Sequence, residues 1–131
     1  MRFDRFLQTL DMGKCEDQLQ RQALFDLALF LVVVDGVITD SESHFMRNWL
    51  DKIEWTSDIK KEDYYNTTLE KCCDAIEKKT SEDFLAHRAK QLVDEKIKQQ
   101  AMKLVRDIAN VDGELDESER KAIAILSELL E

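Results

Sequence analysis

Two clusters of carboxylates hold the densest chemistry in this 131-residue chain. Asp35, Asp40 and Glu42 are near neighbours in VVVDGVITDSE, and Asp112, Asp116 and Glu119 are near neighbours in ANVDGELDESE. Converging oxygens of this kind suit a hard divalent cation. The register invites comparison with a calcium-binding EF-hand loop. With Gly36 on the glycine position, Ile38 and Glu42 fall on the apolar and bidentate positions, and Gly113, Leu115 and Glu119 repeat the match. The first and third ligand positions then fall on Leu31 and Val33, and on Ile108 and Asn110 in the second copy. A calcium loop needs oxygens there, so an EF-hand is excluded. What stays open is a shared site, with Asp35, Glu42, Asp112 and Glu119 as its ligands and Asp40 and Asp116 as weaker contributors, should the two clusters meet. A simpler account competes with it. Asp and Gly suit the turn that ends a helix, and acids in a first helical turn are favoured by the macrodipole alone. Capping is therefore the first expectation, and a weakly held divalent cation, the one cofactor candidate, is the second.

The vicinal pair Cys72-Cys73 is the other reactive grouping. Thiolates ligate soft metals and reduce oxyanions, but adjacent residues of a helix point about 100° apart and no C-x-x-C spacing is present. Cys72 also falls on an apolar stripe, which favours a core position. His44 and His87 are isolated, there is no Gly-rich phosphate loop, and no nucleophile–base pair can be assembled from spacing. The expectation is a protein without catalytic residues.

The elements that must position these groups repeat. Asp35 and Asp112 stand 77 residues apart (112 − 35), and the same offset carries Leu27 onto Leu104, Met46 onto Ile123 and Trp49 onto Leu126. Each copy is an apolar helix, an Asp-Gly turn and a second helix, over about residues 19–53 and 96–130. Thr39 with Glu42, and Asp116 with Glu119, have the spacing of capping boxes. Beyond the turns, Phe45, Met46, Trp49 and Ile53 line one inward face, and Ala122, Ile123, Leu126 and Leu130 the other. The first cassette helix, about 16–34, is apolar nearly all round and should be central. A strand over Val32–Val34 is rejected because Ala109-Asn110-Val111 shows no β bias. Phe3, Phe6, Leu7 and Leu10 predict a short opening helix ended near Gly13. Between the cassettes, EWTSDIKKEDYY reads as loop. Tyr65, Leu69, Cys72 and Ile76 predict a helix over about 62–78, and Thr80 with Asp83 starts another through Phe84, Leu85, Ala89 and Leu92.

Composition agrees. No Pro and only three Gly fit long helices with short connections. A net charge of −9 opposes a phosphate backbone, so nucleic acid is not an expected partner, while divalent cations, basic surfaces and basic peptide segments remain open. Three cysteines in no framework spacing point to a reducing compartment. MRFDRFLQTLDMGK lacks the apolar core of a signal peptide. The run LFDLALFLVVV is too short to span a bilayer and contains Asp26. The expectation is one all-α domain of about seven helices over residues 1–131, cytoplasmic, with the two cassettes packed together as pseudo-symmetric hairpins.

The cassette, an apolar helix running into Asp-Gly, one apolar residue, a short acidic stretch and a Glu, resembles the TerB-like (tellurite-resistance protein B) family. IANVDGELDESERKAI is close to that pattern. LVVVDGVITDSESHFM departs from it at Val33 and Val34, where small residues are usual. The resemblance covers about residues 20–131. It implies an all-helical bacterial protein tied to stress and tellurite resistance, whose domain also occurs in membrane-associated co-chaperones. The function it implies is a non-catalytic adaptor binding protein partners, membrane-associated ones among them. The alternative is a thiol-dependent oxyanion or soft-metal handling protein centred on Cys72-Cys73.

Overall fold

In this computed structural model the described residues are 17–34, 38–109 and 117–130, without the side chains of residues 108 and 109. Among them the secondary structure is entirely helical: α1 (Gln18–Val33), α2 (Asp40–Asp51), α3 (Lys61–Glu77), α4 (Ser81–Ala89), α5 (Glu95–Ala109) and α6 (Glu117–Leu130). The stripe Phe3, Phe6, Leu7 and Leu10, expected to form a seventh helix, lies outside the described residues, as do both Asp-Gly pairs.

α1 is the axis of the core. Every residue from Ala23 to Val34 is buried, as expected of a helix apolar on nearly all sides. The three valines do not divert the backbone into a strand: Val34 still has αR torsions (φ −60°, ψ −23°). Phe25 stacks on Trp49 of α2 at 5.7 Å and meets Tyr64 and Tyr65 of α3, each at 6.4 Å, while Phe30 stacks on Phe84 of α4 at 5.3 Å. α1 thus packs against α2, α3, α4 and α5, and α6 closes over α4 and α5. Each cassette's two helices pack on each other, α1 with α2 and α5 with α6, and the cassettes touch through α1 and α5. The α2 and α6 helices, which carry Trp49 and Leu126, do not form one of the main interfaces.

Local chemistry explains where helices begin and stop. Thr39 and Glu42 form a complete capping box: the Glu42 amide donates to Thr39 Oγ1 at 3.2 Å, and the Thr39 amide donates to Glu42 Oε1 at 3.0 Å. The connection expected over residues 54–65 is shorter. The loop runs from 52 to 60, and Lys61 already opens α3 because Glu62 and Asp63 suit a first turn and Tyr64 and Tyr65 pack on Phe25. Thr80 precedes α4 but provides no side-chain cap, contrary to the Thr80–Asp83 expectation. Its amide is committed elsewhere, donating to Ala75 O at 2.8 Å while the Lys79 amide donates to Ile76 O at 3.3 Å. These two bonds make a Schellman closure of α3 with Lys79, at φ 59°, in the left-handed position that usually holds Gly. The break between α4 and α5 uses no Gly or Pro. Leu92 turns into the core, and Asp94 caps α5 by accepting from the Lys96 amide at 2.9 Å.

The inward faces are largely as the spacing predicted. Ala122, Ile123, Leu126 and Leu130 are buried on α6, and Met46 and Ile53 are buried in the first cassette. Phe45 and Trp49 are half-buried, and Leu50, absent from the predicted stripe, takes the deeper place.

Three substitutions test these termini. Thr39→Ala should lower stability by about 0.5–2 kcal/mol, whereas Glu42→Gln should cost little because Gln also closes a capping box. Lys79→Gly should raise stability by up to about 1 kcal/mol, relief of the left-handed strain exceeding the added chain entropy. Urea denaturation of the three variants beside wild type measures both.

Candidate functional site

Among the described residues, a buried acid and two half-buried ionisable partners cluster where α1, α3 and α4 meet. Asp26 sits mid-helix on α1 and is only 4% exposed. Tyr64 of α3 donates its hydroxyl to Asp26 Oδ1 at 2.5 Å, and Arg88 of α4 donates Nε to Asp26 Oδ2 at 3.1 Å. Both oxygens of the carboxylate are therefore answered from within the protein. Arg88 also lies over the Phe84 ring, its guanidinium carbon 4.0 Å from the centroid, so its position is set by packing as well as charge. Phe84 and Arg88 are four residues apart on α4 and share a face.

Burial pushes the Asp26 carboxyl up to about 6, against the opposing pull of the Tyr64 hydrogen bond and the Arg88 charge. The same burial, with Asp26 beside it, drives the Tyr64 phenol far above its ordinary range. A carboxyl tuned close to neutrality is a common mark of proton-transfer sites. Here its two oxygens are occupied and its surroundings are closed, so the arrangement acts as a clamp joining three helices. A recess of about 370 Å³ opens on the far side of Arg88, between Lys71, Lys78 and Asp83. It reaches the arginine and not the carboxylate.

The expected site residues are distributed differently. Asp35, Asp112 and Asp116 lie outside the described residues. Glu42 is engaged in the capping box of α2, and Asp40 is exposed in the same first turn. Glu119 is buried in the first turn of α6. Among the described residues no three His, Cys, Asp or Glu side chains come together in a way that could hold a metal ion. His44 pairs with Asn48 and His87 with Arg88, each within its own helix.

The cysteines point to different environments, as their adjacency on a helix requires. Cys72 is buried and Cys73 exposed, and neither is in a disulfide. Burial, then the nearby Asp26, raises the Cys72 thiol far above its usual range. Burial, then Asp74, raises Cys73 as well. Reactive thiolates need the opposite, an electropositive setting that lowers the pKa.

No sequence motif singles out the Asp26 clamp. Its signal was present as the one acid inside the longest apolar run, LFDLALFLVVV. Such an acid is buried by the helix that carries it and has to be met by partners. Tyr64 and Arg88, 38 and 62 residues further on, carry no pattern that identifies them as those partners.

Among the described residues no helix is long and apolar enough to cross a membrane. Comparison of the chain with protein-family models, with curated proteins and with solved structures gives no match.

The raised Asp26 pKa has a definite sign in stability. The folded protein holds this proton more tightly than the unfolded chain, so the contribution of Asp26 is full below the ordinary value of 3.8 and is lost as pH rises through about 6. Other carboxylates add their own slopes, so the informative quantity is the difference between wild type and Asp26→Asn. That difference should shift against wild type as pH is raised across this window. Chemical denaturation of both proteins at matched pH values checks it, and parallel profiles would remove Asp26 as the source.

Proposed function

We propose that this chain is a non-catalytic, TerB-like module of bacterial stress response, a cytoplasmic adaptor that holds protein partners, membrane-associated ones among them. The observation that carries this reading is the repeat of the helix–Asp-Gly–helix cassette at a constant 77-residue offset (112 − 35). Supporting it, each cassette's two helices pack as a hairpin, and the mid-helix acid Asp26 is committed to joining helices. The net charge of −9 favours basic segments in the partner. In this reading the N-terminal stripe supplies a seventh helix, and the cassettes form a pseudo-symmetric pair across α1 and α5. Weak, poorly selective divalent binding by the cassette acids is a secondary property.

Complementation distinguishes an adaptor from thiol chemistry. A bacterial strain lacking the gene is challenged with tellurite and supplied with wild type or with Cys72→Ala/Cys73→Ser. Both should restore tolerance equally, and in-cell cross-linking should capture the same partner with both. Loss of tolerance in a double variant that keeps its helical circular-dichroism spectrum would transfer the function to the cysteines. A wild-type gene that leaves tolerance unchanged would remove the link to tellurite.

A further inference from the structure

A second recess, of about 400 Å³, opens where the end of α1, the closing turn of α3, the first turn of α4 and the first half of α6 come together. Its floor is apolar: Phe30 and Val34 are buried, and Ile76 and Ile125 are half-buried beside them. Its volume falls within the range of sites for small organic ligands. Two cations, Lys79 and Lys121, and one acid, Glu82, stand around it.

Three features make this rim select for an anion. Neither lysine has an ion-pair partner among the described residues, in a chain with 28 acidic residues to choose from. Lys79 occupies the left-handed position of the α3 closure, where Gly is free of strain and Lys is not. An ammonium is thus held at the recess at a cost in backbone energy. The third feature is the start of α4, whose residues Ser81 and Glu82 line the recess and receive no side-chain cap from Thr80. The helix end adds its partial positive charge to that of the lysines, opposed by Glu82 on the rim and by Asp83 in the same turn.

We propose that this recess binds a small amphipathic carboxylate, an unbranched fatty acid of medium length, with its chain on Phe30, Val34, Ile76 and Ile125 and its headgroup between Lys79 and Lys121. The overall charge of −9 works against any anion, so affinity for a carboxylate has to come from the local cations. An amine of equal chain length is the corresponding control, because the protein as a whole attracts it.

The experiment is calorimetric titration of the full chain with decanoate and with decylammonium, both below their micellar concentrations. The expected result is one saturable decanoate site, at least about tenfold tighter than decylammonium. Lys121→Gln and Lys79→Gly should each weaken decanoate by about tenfold or more, the size of one charge-assisted contact. Lys79→Gly relieves strain, so weaker binding in that variant cannot be ascribed to unfolding. The absence of saturable decanoate binding would overturn the proposal. Equal affinity for the amine, or wild-type affinity in both lysine variants, would do so as well.

Discussion

A carboxylate sealed inside the central helix is the constraint on which the rest of this structure depends. Taking an ionised group out of water costs several kcal/mol unless neighbours replace the lost hydration. Tyr64 on α3 and Arg88 on α4, one partner for each oxygen, offset part of that cost for Asp26, whose carboxyl is still raised by burial to about 6. The two helices are thereby fixed in rotation and height against α1, where Phe30 stacks on Phe84 of α4 and Phe25 meets Tyr64 and Tyr65 of α3. The same rule governs the other polar residues of α1. Gln20 accepts the Asp94 amide at 2.9 Å, Arg21 donates to Glu54 O at 3.0 Å, and Gln18 accepts the Thr56 amide at 2.8 Å. Gln20 and Arg21 are buried and Gln18 half-buried, and each has become a tether for a connecting segment, although Gln18 Nε2 itself meets no hydrogen-bond partner.

Much of this fold was legible in the sequence because it depends on periodicity. Leu24, Leu27, Ala28 and Leu31 announce α1, and the cap at Thr39 announces α2. The connection before α3 was legible, and its helix starts at Lys61, one residue from the predicted start. The legible parts are local, set by residues within a turn or two of each other. What was hidden is long-range. The break before α5 depends on Leu92 entering the core and Gln20 receiving the Asp94 amide, and that connection contains no Gly or Pro, so composition alone could not place it. Lys79 is the sharpest case, a residue with no turn signature in a left-handed position dictated by the closure of α3.

The candidate site was legible to a lesser degree. The cassette acids were conspicuous by repetition, yet Glu42, whose contacts are described, is committed to a helix terminus. The cysteines were conspicuous by adjacency, yet burial and neighbouring carboxylates raise both thiols. Asp26 was visible only as an anomaly in an apolar run. The conspicuous Thr39–Glu42 spacing marks a helix cap, while Asp26, Tyr64 and Arg88 are scattered through the sequence and meet only in the folded protein.

Asp26 and Arg88 act as one unit, and a double-mutant cycle in urea at neutral pH tests this coupling most directly. Removing one member of a buried pair leaves an unanswered charge, so Arg88→Met should cost about 3–5 kcal/mol in the wild-type background. With Asp26→Asn already present that charge is gone, and the same replacement should cost far less, giving a coupling energy above about 1 kcal/mol. An equal loss in both backgrounds would contradict the claim and reduce the clamp to ordinary packing.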